Sequence, residues 1–99
     1  MKVKGEWSSR TVWVDGKVLD PSHSQKVRNH SPDGFNWGYG GSGPAQLALA
    51  LMLLVMDDQT AVRHYQDFKW RVIASLPQSD FEVEIDLYEW KIVDTSPVR

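Results

Sequence analysis

Ninety-nine residues with a formal net charge of −2 and a pI near 5.8 suit one ordinary domain and give no broad electrostatic footprint for nucleic acid, which needs clustered Lys or Arg. At 41% hydrophobic, with five Trp among them, the chain has the material for a core and too little excess charge for disorder. It has no cysteine, which removes disulfides, Cys-ligated zinc and a thiol nucleophile.

The basic residues are scattered, which leaves room for a small local patch only. The N-terminal stretch has no apolar signal region. The longest apolar run, 44–56, is interrupted by Gln46 and falls short of the roughly 20 residues that span a bilayer. The expectation is a single globular domain over 1–99, soluble and cytoplasmic, with no membrane contact.

In chain order, "TVWV", Asp15-Gly16 and "KVLD" predict a hairpin over 11–19 with a type I′ turn. "KVKGEW" upstream adds a third antiparallel strand, with Ser8 and Ser9 in the connecting turn. Residues 20–43 are dense in Pro, Ser, Asn, Asp and Gly, the composition of a loop. Two dozen structureless residues are too many for so small a domain, so a short strand is expected around Gln25 to Arg28. Phe35, Trp37 and Tyr39 are expected to pack onto the fold.

A helix begins near Pro44, whose missing N–H costs nothing in a first turn, with Ser42 or Gly43 as its cap. It is apolar nearly all round and so should be deeply buried. Asp57 and Asp58 end it and start a second helix over about 58–75. There Ala61, Tyr65, Phe68, Val72 and Leu76 form one stripe, and Pro77 is the stop. "FEVEI", 81–85, alternates as a half-buried strand does. Asp86 and Glu89 stand in capping-box-like spacing, which predicts a short closing helix over 87–93. The fold class is α+β: a small antiparallel sheet, made of the N-terminal hairpin or meander and a C-terminal strand, packed on two central helices.

Gly38, Gly40 and Gly43 stand in the G-x-G-x-x-G spacing of a dinucleotide loop. That motif needs a following β-α-β unit, and here Asp57 and Asp58 fall at a helix–helix junction. Pro44-Ala45 also replaces the Lys and Ser/Thr of a P-loop. The glycines, Gly41 among them, therefore read as backbone for tight turns and close helix packing. An anion or carboxylate contact at Ser42 and Gly43 stays open, with Lys69 or Arg28 as its cation.

His30, Ser31 and Asp33 are the residue types of a nucleophilic triad. A fold normally assembles such members from distant segments, and "HSPDG", with Pro32 and Gly34, reads as a turn. His23, His30 and His64 match no metal spacing, so no metal and no cofactor is expected. Lys69 has two readings, an ion pair with Asp33 or Asp58 or a place against an aromatic ring. Trp70 either packs on the sheet or joins Trp37 and Tyr39 in an exposed contact surface, where aromatics are enriched.

"HSPDGFNWGYGGSGPAQLALAL", with "YQDFK" and "LP" after it, resembles a family of about-100-residue proteins of unknown function from bacteria, archaea, phages and plasmids. The resemblance covers roughly residues 10 to 92 and is most specific over 30–51. It implies a compact accessory protein, often on mobile elements, and brings no catalytic residues with it. Asn29 through Leu51, together with Tyr65 to Lys69, define the type, so a site is expected where those segments meet. The expected role is that of a non-enzymatic binding protein with a protein partner or none, acting through Trp37, Tyr39, Ser42, Gly43, Lys69 and Trp70. The alternative is a small anion or nucleotide held at the start of the helix near Pro44.

Overall fold

The computed structural model describes residues 1–93. Five antiparallel strands form one sheet: β1 (Lys2–Glu6), β2 (Thr11–Val14), β3 (Lys17–Val18), β4 (Phe81–Asp86) and β5 (Lys91–Val93), in the order β3-β2-β1-β4-β5. Three helices lie between β3 and β4: α1 (Ser22–Val27), α2 (Ser42–Leu53) and α3 (Asp58–Arg71). One turn of 3-10 helix, Ile73–Ser75, follows α3. This is the expected α+β arrangement.

The hairpin turn has the expected chemistry. Asp15 and Gly16 take φ of 50° and 85°, the left-handed pair of a type I′ turn, and the Asp15 carboxylate accepts the N–H of Lys2 at 2.9 Å. β1 lies at the centre of the sheet. It pairs with β2 in the register Val3↔Val14 and with β4 in the register Val3↔Val83. Alternation sends Val3, Val12, Phe81 and Ile85 to one buried face. Lys4, Trp13 and Glu82 fall in one row of the other face, where the Lys4 ammonium stands 5.7 Å from the Trp13 ring centroid.

Every residue of α2 from Gly43 to Met52 is buried, as expected of a helix apolar on all sides. Its cap differs from the expected Ser42 or Gly43: the helix starts at Ser42, so Gly41 is the N-cap and contributes no side-chain bond. Asp57 caps α3 by accepting the Thr60 N–H at 2.7 Å. Ala61, Tyr65, Phe68, Val72 and Leu76 are all buried, but regular α-helix stops at Arg71 and the 3-10 turn carries the chain to Leu76.

Two elements differ from expectation. The strand expected around Gln25 to Arg28 is the helix α1. The closing helix expected over 87–93 is a turn followed by β5, paired antiparallel to β4 in the register Ile85↔Ile92. The Asp86 carboxylate does accept the N–H groups of Tyr88 (2.9 Å) and Glu89 (3.2 Å). Trp90 then takes φ of 56° and reverses the chain.

Trp37 joins the parts. It is fully buried, edge-on to Trp7 at 5.7 Å and to Phe81 at 4.9 Å, and its indole N–H donates to the Ser79 carbonyl at 3.0 Å. Among the described residues, no helix is long and apolar enough to cross a membrane.

Candidate functional site

The loop ahead of α2 is fixed from beneath by one side chain. Gln46 is fully buried within α2, and both ends of its amide are used. Its Oε1 accepts the backbone N–H groups of His30 (2.8 Å) and Ser31 (3.0 Å). Its Nε2 donates to Ser24 Oγ (2.9 Å) and to the Arg28 carbonyl (3.0 Å). Two donors and two acceptors are matched, which a buried amide requires. The residue that looked like an interruption of an apolar run is the anchor of the loop.

His30 reaches the second defining segment. Its Nε2 lies 2.6 Å from the Tyr65 hydroxyl, so Asn29–Leu51 and Tyr65–Lys69 do meet. Partial burial, and then the charges of Arg28 and Lys69, hold the His30 pKa below its ordinary value. The partner of His30 is thus Tyr65, with neither Ser31 nor Asp33 bonded to its ring. Ser31 instead accepts the Gly34 N–H on its carbonyl at 3.2 Å, and Gly34 has φ of 107°. "HSPDG" is a turn, and the triad types do not assemble a triad. His23 and His64 lie elsewhere, His23 at 3.9 Å from Asp58 and His64 against the Trp90 ring.

The glycine run carries rings. The Trp70 indole lies on Gly40 and the Tyr39 ring on Gly41, each so close that a methyl group on the glycine would overlap it. Gly43 meets backbone as well: a Cβ there would stand 2.6 Å from Asn36 Cβ and 3.1 Å from Asn36 N. Gly38 turns the loop with φ of 84° and ties it to the end of α3, donating to the Ile73 carbonyl at 3.0 Å and accepting from Gln78 Nε2 at 3.1 Å. Pro44 is buried in the first turn of α2.

Exposure divides the expected aromatics. Trp70 is 61% exposed and Tyr39 43%, whereas Trp37 is at 0%. Trp37 therefore leaves the contact surface, because its indole fills the gap between Trp7 and Phe81. Tyr39 is only partly packed, unlike Phe35, which is buried. Lys69 makes no ion pair with Asp33 or Asp58. The residue is buried, and its ammonium stands 4.3 Å from the Trp70 ring centroid.

Beside Tyr39 a polar hollow of about 330 Å³ opens, lined by Arg10, Asp33, Asn36, Tyr39, Ser42 and Gly43 among others. The cation at this hollow is Arg10, in place of Lys69 or Arg28. Arg10 turns the β1–β2 connection with φ of 59°. Its guanidinium lies 3.5 Å over the Trp7 ring, its Nε donates to Asn36 Oδ1 at 3.0 Å, and its Nη1 donates to the Trp7 carbonyl. Asn36 Nδ2 in turn donates to the Tyr39 hydroxyl at 3.2 Å. Arg10 and Asn36 escape sequence reasoning because their partners are set by the fold. Gln46 did leave a signal, as the lone polar residue inside an apolar helix.

These features define a class: a small α+β protein with one sheet face covered by helices and a glycine loop faced by aromatic rings. Over residues 3–94 the chain matches the model of a family of unknown function, DUF6166, and it belongs to that family. The match takes in β1, which the sequence resemblance left outside. No curated protein and no solved structure matches the chain.

Proposed function

We propose that this protein is a non-enzymatic binding module that docks a protein partner on the surface formed by Tyr39 and Trp70. One observation carries the reading. Two large rings are held outward on the backbone of Gly40 and Gly41, with Trp70 at 61% exposure and Tyr39 at 43%. Aromatics presented in this way bring large contact area at little cost in side-chain entropy. The sequence resemblance extends the reading to an accessory protein in the service of a phage or plasmid, and the cytoplasm is the compartment expected from a sequence without an apolar signal region.

The test is affinity capture followed by reconstitution. A partner enriched by the wild-type protein is purified, and its binding is measured against Trp70→Ala and Tyr39→Ala. Both variants should fold, since each truncates a ring that stands outside the buried core. Each should weaken binding at least about thirtyfold, the lower range of hot-spot effects. A partner held equally by the double variant removes the reading.

The hollow supports a second one, a small anion or nucleotide at the start of α2. Ser42 and Gly43 stand in its wall with Arg10 beside them, and the first N–H groups of a helix favour negative charge. Thermal shifts against inorganic phosphate and a nucleotide panel decide it: no stabilisation by any of them ends this reading.

A further inference from the structure

We infer that the segment docking on Tyr39 and Trp70 is acidic, a stretch of the partner with a carboxylate next to an apolar side chain. The inference rests on the docking reading above and adds the chemistry of its occupant. The apolar residue would lie on the rings and the carboxylate would meet Arg10 at the hollow.

Three observations carry it. The surface is continuous: Lys69 touches Trp70, Trp70 lies on Gly40, Tyr39 lies on the adjoining Gly41, and Asn36 bridges the Tyr39 hydroxyl to Arg10. A cation, Arg10, stands at the hollow end, and it has no carboxylate partner among the described residues, whose ion pairs lie elsewhere. Arg10 is also pre-set. Its guanidinium lies over the Trp7 ring and two of its nitrogens are bonded, while Nη2 has no acceptor among the described residues. A guanidinium fixed in this way loses little further freedom on meeting a carboxylate. Asp33 also lines the hollow, but it is exposed and makes no ion pair among the described residues. The protein as a whole carries a net charge of −2, and at the hollow the unpaired cation beside the exposed Tyr39 ring is Arg10.

The experiment is selection from a displayed library of random peptides on the wild-type protein, keeping those lost on Trp70→Ala. The expected peptides carry Asp or Glu beside an apolar residue. Replacing that acid by its amide should weaken binding about fivefold, the worth of one partly exposed charge pair. Arg10→Gln should cost the acidic peptide a similar factor and the amide peptide almost nothing. Because Arg10→Gln could unsettle the loop, salt supplies a measurement on the unaltered protein: raising it to about 0.15 M should erode the preference for the acid. Trp70-dependent peptides that are neutral or basic, or acids replaceable by amides without loss, overturn the acidic inference and leave the docking surface standing. Full competition by inorganic phosphate without displacement from the rings assigns the hollow to a free anion and also overturns it. Recovery of no Trp70-dependent peptide takes away the docking reading itself.

Discussion

Gln46 makes four hydrogen bonds from a site with no access to water. Gln46→Ala strands two backbone N–H groups and a carbonyl and takes one partner from the Ser24 hydroxyl, which keeps its bond to the Pro21 carbonyl. An orphan that water does not reach costs about 1–3 kcal/mol before relaxation. We expect urea unfolding to show a loss of about 3 kcal/mol or more. Hydrogen exchange should place the earliest opening at residues 24–31; a loss below about 1 kcal/mol would mean that water replaces the amide. His30 gives the pH prediction. Its folded pKa lies below the ordinary 6.5, so the unfolded chain takes up the proton first and stability falls as pH drops below that value. The loss is complete only below the depressed folded value. His30→Gln should flatten the melting temperature between neutral and mildly acid pH, which thermal scans at a series of pH values would check. The loop glycines separate in the same spirit. Gly40→Ala meets the outer end of an exposed Trp70 ring that can swing away, whereas Gly43→Ala meets the Cβ and backbone of Asn36. Calorimetry should find Gly43→Ala much the more destabilising, and Gly40→Ala should show mainly as a change in Trp70 fluorescence.

At the scale of elements, what the sequence made legible was what local chemistry decides. The type I′ turn at Asp15-Gly16, the stripe of α3 and the alternation of β4 each have a period or a turn residue that dictates the backbone. α1 was not legible. "SHSQKV" has no apolar period, and Ser24, its one buried residue, is held by Gln46 from the neighbouring helix. β5 was misread for another reason. A carboxylate accepting N–H groups two and three residues ahead looks the same at a helix start and in a hairpin turn, and only the positive φ of Trp90 tells them apart. The candidate site was half legible: Tyr39 and Trp70 could be named, while Arg10 and Asn36 depend on contacts between a turn and a distant loop. Asp57 tests the local rule directly. Its carboxyl is held below the ordinary range by its bonds to Thr60. Asp57→Ala should lower the melting temperature, and Asp57→Asn, which keeps an accepting oxygen, should retain most of it.

For the whole molecule, Trp37 carries more than its share of cohesion. It touches the β1–β2 turn through Trp7, β4 through Phe81 and the approach to β4 through the Ser79 carbonyl. Trp37→Ala should cost about 3–5 kcal/mol, the range for emptying a large aromatic site. In denaturant the variant should unfold as one unit with the sheet; a loosening confined to the loop would show that the loop and sheet are separately stable.

The position of β1 governs how the protein is made as well as how it stands. The innermost strand of the sheet is made before its other strands, and one of its two neighbours, β4, follows only after the three helices. Until β4 is made, the hairpin of β1 and β2 has an unpaired inner edge, with Val3 and Val12 lacking their cover. Pairing on that edge waits for Phe81–Asp86, so an open template for strand addition persists while the three helices are synthesised. Crowding on a polysome, where many such half-sheets stand side by side, is the setting in which this architecture is most exposed to mispairing.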